Sequence, residues 1–246
     1  MNLLQEPAPG EPAQPIGPVR AMAVVAHELR QPLSVIRLNA AVLQRLPEAI
    51  APMRIRSIGQ AIERAIESQM RIIDDLFDFS RVRTGKLALQ RVPVDLVALV
   101  TDLVETFSAN LAAGRVRLET PASGPLVCHA DPVRLRQIAA NLLGNAIKFT
   151  AAGGQVSVRM ASEEGYARLS VADTGHGIAP EFLPHVFGLF QQADAGANRQ
   201  DGLGIGLALV HGLAVAHGGF VKASSDGLGR GAEFDVWLPL AQHGAA

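Results

Sequence analysis

The sequence predicts an α+β protein in which a long helical hairpin precedes a two-layer α/β sandwich. Apolar residues recur at alternating spacings of three and four over residues 22–43 and again over 55–79. The chain after residue 95 instead mixes helical periodicity with two-residue alternation. The predicted divisions are a proline-rich flexible lead-in (1–18), the hairpin (19–82), a connector (83–94), the sandwich (95–241) and a short tail (242–246).

The hairpin prediction depends on two heptad-like stripes separated by a break at Pro47 and Pro52. Because one hairpin of two helices buries little apolar surface, dimerisation into a four-helix bundle is expected to complete it. A pair of helices that packs on the rest of the same chain explains the periodicity equally well. The stripes are Met22, Ala26, Leu29, Leu33, Ile36, Ala40 and Leu43, then Ile55, Ile58, Ile62, Ala65, Gln69, Ile72, Leu76 and Phe79.

The sandwich prediction depends on local signals along the second half of the chain. Asp131 followed by Pro132 is typical of a helix start, with a capping carboxylate before a proline at the first helical position. The turn SEEG (162–165) separates two alternating runs and so indicates a β-hairpin. The predicted elements are helices at 96–112, 131–150 and 207–215 and strands at 115–119, 155–160, 167–171 and 233–238.

Composition excludes several classes of protein. The 22 Lys and Arg balance the 23 Asp and Glu and form no basic block, so no nucleic-acid partner is expected. A single cysteine, Cys128, excludes an internal disulfide and fits a reducing compartment. Charges interrupt every apolar run before the roughly 20 residues that a membrane helix needs. We therefore expect a cytoplasmic protein whose sequence contains no membrane segment.

The helix predicted for residues 131–150 carries Asn141, Asn145 and Lys148 on one flank. Asparagine is a poor helix former, so two of them one turn apart require a reason. Amide oxygens are suitable ligands for Mg²⁺, which also keeps water and substrate phosphates, and a lysine meets phosphate as a point charge. From these residues alone, polar side chains on a solvated face are the plainer interpretation.

The segment VADTGHGI (171–178) directly follows a predicted strand. Gly175 and Gly177 allow the backbone to bend sharply and approach a ligand closely. Asp173 is placed to accept a hydrogen bond from an exocyclic amine such as that of adenine. Taken alone, this pattern is more typical of a plain turn.

A second glycine-rich segment, Gly202, Gly204 and Gly206, precedes an apolar helix. Such a loop offers free N–H groups and a favourable helix dipole to phosphates. It lacks the lysine and hydroxyl of a Walker loop and does not have Rossmann spacing. The small polar residues at 191–201 are typical of a mobile lid over a nucleotide.

Together these segments resemble a known family. Residues 141–150, 173–177, Phe187 with Phe190, 202–206 and GRGAEF (229–234) resemble the N, G1, F, G2 and G3 boxes of the histidine-kinase ATP-binding domain. AHELRQPLSVI (26–36) resembles the phosphoacceptor H-box of the associated dimerisation domain. The boxes occur in the family's order, and the resemblance covers about residues 20–241.

The resemblance implies a Bergerat-type sandwich, shared with gyrase-like ATPases, that uses ATP and Mg²⁺. It makes Asn145 the chief Mg²⁺ ligand, with Asn141 assisting. It also implies that Lys148 contacts phosphate, that Phe149 borders the base and that Asp173 recognises the adenine amine. The glycines that shape the nucleotide and lid loops are then Gly175, Gly177, Gly202, Gly204 and Gly206.

The same resemblance makes His27 the phosphoacceptor. It implies ATP-dependent autophosphorylation of His27, followed by transfer to an aspartate in the receiver domain of a response regulator. Neutral imidazole is a competent nucleophile near pH 7, and Glu28 is the expected general base or orienter of its proton. Pro32 is predicted to kink the helix just past the nucleophile, and the connector near residues 81–93 is the predicted hinge between the two domains.

Two positions depart from the family pattern. Gln31 stands where members with phosphatase activity commonly have threonine or asparagine, and Asp201 stands where the G2 box usually begins with glycine. Two other classes of protein are alternatives. A non-catalytic dimeric scaffold usually lacks the asparagine pair or the G1 aspartate, both of which are present. A gyrase-like ATPase has no need of the H-box or the heptad hairpin.

Overall fold

A computed structural model describes residues 18–44, 52–108, 115–119, 124–192 and 203–241. The hairpin consists of α1 (Pro18–Gln44) and α2 (Pro52–Arg83), which pack against each other. Helix α1 continues through Pro32. The predicted stripes are only partly covered: Ile58 and Ala65 are buried, whereas Leu33 and Ile55 are each 51% exposed. The hairpin thus leaves part of its apolar seam open to solvent.

The sandwich contains a five-stranded sheet in the order β2-β4-β5-β7-β6, in which β2 runs parallel to β4 and the other neighbours are antiparallel. A separate antiparallel pair joins β1 to β3. The elements in chain order are β1 (Val92–Asp95), α3 (Leu96–Ser108), β2 (Val116–Glu119), β3 (Val127–Ala130), α4 (Pro132–Phe149), β4 (Val156–Glu163), β5 (Tyr166–Asp173), a 3-10 turn (Leu183–His185), α5 (Gly206–Ala216), β6 (Phe220–Ser224) and β7 (Ala232–Pro239).

The core lies between one face of the five-stranded sheet and the three helices α3, α4 and α5. Alternation along the strands brings Val156, Val158 and Leu169 to this face, where each is at most 1% exposed. The opposite face carries polar and aromatic side chains: Arg168 Nε lies 2.9 Å from Asp235 Oδ1, and Trp237 stacks on Phe220 with ring centroids 4.7 Å apart. The predicted two-layer sandwich is therefore confirmed.

The structure differs from the predicted elements at short or weakly patterned segments. Strand β1 occupies residues 92–95, at the end of the predicted connector (83–94) and at the first residue of the predicted sandwich, because it pairs with β3, which no local signal indicated. Strand β6 was also not predicted. It is only five residues long, and its pairing with β7 holds it in the sheet. Helix α3 ends at Ser108, and the rest of the helix predicted to residue 112 lies outside the described residues.

Candidate active site

Asp173 ends β5 and is followed by a turn that contains Gly175 and Gly177. Its Oδ1 accepts a hydrogen bond of 2.8 Å from the backbone N–H of Gly175. Burial raises the pKa of the Asp173 carboxyl above its usual value, and backbone hydrogen bonds from Gly175 and Ala232 offset part of this rise. The carboxylate is thus partly desolvated, and one of its oxygens is already fixed in orientation.

Two glycines near Asp173 are required by close backbone contacts. A Cβ on Gly175 would lie 2.2 Å from the carbonyl oxygen of Phe149, and one on Gly177 would lie 2.1 Å from that of Gly227. Gly177 also has a φ of 67°, which disfavours other residues. These contacts bring the loop after β5 against the end of α4 and against the loop between β6 and β7.

Helix α4 presents the predicted polar flank. Asp131 caps it by accepting hydrogen bonds from the N–H groups of Val133 and Arg134. Asn141 and Asn145 are half-buried, whereas Lys148 is exposed, with its Nζ 5.1 Å from the Phe149 ring centroid. The Nδ2 atom of Asn141 is buried and has no hydrogen-bond partner among the described residues. Such a group normally finds a partner, so this amide is available to a ligand.

The beginning of α5 lies beside this flank. Gly206 is the first residue of α5, and a Cβ on it would lie 3.4 Å from Oδ1 of Asn141. Gly204 has a φ of 65°, and its carbonyl accepts a hydrogen bond from the N–H of Phe190. The free N–H groups that begin α5 therefore lie close to the asparagine flank, an arrangement suited to an anion. Gly202, Asp201 and most of the predicted lid lie outside the described residues.

His27 lies on α1 and its side chain is exposed. Its Nε2 lies 3.3 Å from the side-chain nitrogen of Gln31, one helical turn later. Glu28 is half-buried, and no hydrogen bond joins it to His27 in the described part of the chain. The contact between Gln31 and the imidazole was not predicted, because a spacing of four residues shows proximity but not which side chains meet.

The end of α2 docks on the sandwich. Asp78, only 7% exposed, forms an ion pair of 2.5 Å with Arg134 of α4, and Gln137 donates a hydrogen bond of 3.1 Å to the same carboxylate. Nearby, a Cβ on Gly212 of α5 would lie 2.4 Å from the Val82 side chain. A groove between α2 and α4 is lined by Asp74 and Asp75 on one side and by Asn141 on the other. The hairpin thus reaches the edge of the asparagine flank.

Asp131 also ties the connector to this junction. Its Oδ2 accepts a hydrogen bond from the N–H of Gln90, and its own N–H donates to Nε2 of His217. Burial opposes the charge on Asp131, but hydrogen bonds from Gln90, Arg134 and Val133 hold its pKa below the usual value. Burial lowers the pKa of His217, whose Nδ1 lies 2.8 Å from the Leu213 carbonyl oxygen. A neutral His217 with its proton on Nδ1 satisfies both contacts.

The structure thus brings two groups of predicted residues together. Asn141 lies beside Gly206, and Asp173 with Gly175 lies against Phe149. His27 has no hydrogen bond to the sandwich among the described residues. Glycine-rich turns and a helix amino terminus beside polar side chains are features of sites that bind phosphate-bearing ligands.

In a comparison with known proteins, the hairpin and the sandwich each match a family model. The family model for "His Kinase A (phospho-acceptor) domain" matches residues 19–85, and the model for "Histidine kinase-, DNA gyrase B-, and HSP90-like ATPase" matches residues 130–242. A circadian input-output histidine kinase, CikA of Synechococcus elongatus, is 37% identical over 222 residues, which cover 89% of this chain and 29% of CikA. The chain belongs to the sensor histidine kinase family of two-component systems.

Solved structures show the same architecture. Full-length ShkA in complex with AMPPNP is 33% identical with a TM-score of 0.64, and the match covers 92% of this chain and 46% of ShkA. The histidine kinase AdeS of Acinetobacter baumannii has a TM-score of 0.65 at 24% identity, over 88% of this chain and 98% of AdeS, a likeness of fold alone. The chain spans between a quarter and a half of the length of the curated relatives it matches. None of the helices in the described ranges has the length and apolarity to span a membrane.

Proposed function

We propose that this chain uses ATP to phosphorylate its own His27 and passes the phosphoryl group to an aspartate in the receiver domain of a response regulator. The observation that carries the proposal is the buried, unpartnered amide of Asn141 beside the glycine start of α5. This arrangement places a buried N–H donor where it can bind an anionic group such as a phosphate. It occurs in a chain that belongs to the histidine kinases and has an exposed histidine at the H-box position.

We assign adenine recognition to Asp173. Backbone N–H groups of Gly175 and Ala232 orient the carboxylate, whose two oxygens have further lone pairs with which to accept a hydrogen bond from the exocyclic amine. The exposed ring of Phe149 is proposed to border the base, since it lies at the end of α4 next to Gly175. Gly177, Gly202, Gly204 and Gly206 are proposed to shape the nucleotide and lid loops.

The asparagine flank fits a Mg²⁺–nucleotide complex. Asn145 is the proposed principal ligand and Asn141 the assisting one, since neutral amide oxygens leave room for water and phosphate ligands. When bound, the ion neutralises charge on the transferred phosphate. Lys148, on the same flank, is proposed to contact a phosphate as a point charge.

The transfer step uses the two ring nitrogens of His27 differently. The Nε2 lone pair forms a bond to the γ-phosphorus while the bond from phosphorus to the β–γ bridging oxygen breaks, and that electron pair leaves with ADP. Loss of the Nδ1 proton then leaves a phosphohistidine whose ring is neutral and whose phosphoryl group is anionic. Glu28 is the proposed acceptor or orienter of this proton. Positioning and electrostatics supply most of the catalysis.

We also propose that the chain is a homodimer through the hairpin. Leu33 and Ile55 belong to the apolar seam, yet each is 51% exposed in the single chain. Nine of the fifteen large apolar side chains that are exposed in the described part of the chain lie on α1 and α2. A second hairpin that covers this seam would complete a four-helix bundle.

Incubation with γ-labelled ATP and Mg²⁺ tests the proposed activity. The expected product is a label that is stable to base and lost in acid, and Asn145→Ala and Asp173→Asn should each reduce its rate of formation at least about tenfold. Glu105→Gln, which removes an exposed carboxylate from α3, is the matched control and should leave the rate unchanged. Absence of label from a wild-type chain that binds nucleotide would contradict the proposal. Absence of nucleotide binding would favour the non-catalytic scaffold.

A further inference from the structure

Gln31 contacts the nitrogen of His27 that the proposed reaction uses. The distance between Nε2 of His27 and the side-chain nitrogen of Gln31 is 3.3 Å. In the described part of the chain, no other hydrogen bond involves the His27 ring. The side chains of His27 and Gln31 lie on α1, one turn apart, and the ring is exposed, so a reagent can reach it.

The amide nitrogen of Gln31 that faces the ring is suited to an unprotonated Nε2 of His27. An amide nitrogen donates hydrogen bonds but does not accept them. Nε2 must therefore be the acceptor, which means that it carries a lone pair and no proton. In a neutral imidazole the proton then lies on Nδ1.

We propose that Gln31 is a positioning residue that holds His27 in the Nδ1–H tautomer, so that Nε2 is the nitrogen that receives the phosphoryl group. This inference rests on the proposed autophosphorylation of His27 and adds a determinant of the nitrogen at which it occurs. The Nδ1 proton is then the one that the proposed role of Glu28 concerns. The amide must turn away as the phosphorus arrives, because one lone pair cannot serve both.

The contact is suited to this role because it is a single long hydrogen bond at the exposed surface of α1, and is therefore weak. The net free energy of one such hydrogen bond changes an equilibrium constant by about fivefold. This is enough to bias the ratio of the two tautomers without blocking the nucleophile. Exposed side chains change rotamer within picoseconds to nanoseconds, far faster than phosphoryl transfer. Glutamine has the length to reach the ring and also the donor group that the tautomer requires.

Nuclear magnetic resonance of the ¹⁵N-histidine-labelled full chain tests the tautomer directly, without ATP. His27→Gln identifies the His27 signals among those of the seven histidines. In the wild type at a pH where the ring is neutral, Nε2 should have the shift of an unprotonated nitrogen and Nδ1 that of a protonated one. Gln31→Glu, which places an acceptor at the same distance, should move the proton to Nε2. Gln31→Met, similar in length but without a hydrogen-bonding group, should give a mixture.

The control is Gln60→Glu, the same substitution at an exposed position of α2, which should leave the His27 tautomer unchanged. The initial rate of labelling from γ-labelled ATP should fall at least about fivefold in Gln31→Glu, with the KM for ATP unchanged. A proton on Nε2 in the wild type, or the same tautomer ratio in wild type, Gln31→Met and Gln31→Glu, would overturn the inference. The ring shifts decide the role of Gln31, whereas absence of label in the wild type would count against the proposed function instead.

Discussion

The hairpin and the sandwich bury their apolar residues to very different extents. The sandwich has a continuous core in which residues such as Leu142 and Leu209 are at most 1% exposed. On the described part of the hairpin, the buried apolar residues are Pro32, Ile58 and Ala65, and the last two are each 7% exposed. The sandwich is thus complete within one chain, whereas the hairpin requires further surface to cover its seam.

This difference matches the proposed division of labour. Residues proposed to hold the nucleotide lie on elements anchored in the core: Asn141 in the middle of α4 and Asp173 at the end of β5. The proposed acceptor, His27, lies exposed on the less covered hairpin. A donor site benefits from a rigid scaffold, whereas an acceptor has to reach both the nucleotide and a receiver domain. The contacts of Asp78 and Val82 with the sandwich join the two regions.

The largest expected effect on stability comes from a substitution that creates a cavity in the sandwich core. Leu142→Ala should lower the free energy of unfolding by about 3 kcal/mol, because the leucine is 1% exposed and the surrounding core relaxes only partly. Leu38→Ala on the hairpin, where the leucine is 67% exposed, should change it by less than about 0.5 kcal/mol. Urea unfolding at fixed protein concentration compares the two. Equal losses would refute the contrast between the regions.

A charge in the open seam should break the dimer without unfolding the sandwich. Leu33→Glu is expected to weaken self-association at least about a hundredfold, because the carboxylate would be buried without a partner in both chains. Analytical ultracentrifugation over a concentration series measures this change. The control is Val133→Glu, at an apolar residue of the sandwich that is 68% exposed. If Leu33→Glu remained as dimeric as the control, the hairpin would not be the dimer interface.

The junction between the regions can be tested with two ion pairs whose arginines both lie on α4, one joined to α2 and the other to α3. Asp78 with Arg134 is largely buried, whereas Asp102 with Arg136 is mostly exposed. A double-mutant cycle of Asp78→Asn and Arg134→Gln should give a coupling energy of about 1 to 2 kcal/mol in urea unfolding. The matching cycle of Asp102→Asn and Arg136→Gln should give less than about 0.5 kcal/mol. Similar values for both pairs would mean that α2 is not firmly docked.

The smallest expected effect is a pH dependence from His217. Burial lowers its folded-state pKa below the ordinary 6.5, so the unfolded chain binds the proton more readily. The contribution of the neutral ring is therefore complete above about pH 6.5 and is lost as the pH falls below it. Asp131, with a lowered pKa, retains its charge throughout pH 5 to 7. Urea unfolding at pH 5 and 7 should show this loss in the wild type and a smaller one in His217→Gln. Equal losses would exclude His217 as the cause.

Much of the architecture was predictable because its signals are local. The heptad stripes predicted the hairpin, and Asp131 with Pro132 predicted the start of α4 to the residue. The alternation on both sides of SEEG predicted the pairing of β4 with β5. In each case the residues that fix the element are adjacent in sequence, so tertiary contacts reinforce a preference that is already present.

What the sequence did not predict depends on residues distant in the chain or on rotamers. Strand β1 forms through β3, more than thirty positions later, and the pair Asp78–Arg134 joins residues 56 positions apart. No periodicity reports either contact. The residues proposed to bind nucleotide followed from box spacing, whereas the contact of Gln31 with His27 requires knowledge of where two side chains point.

The central claim is that nucleotide binding belongs to the sandwich and phosphate acceptance to the hairpin. The most direct test measures nucleotide affinity and labelling from γ-labelled ATP in the same His27→Gln variant. The expected result is an ATP affinity equal to that of the wild type together with complete loss of the acid-labile label. Label that persists in His27→Gln, or loss of ATP binding by this variant, would contradict the claim.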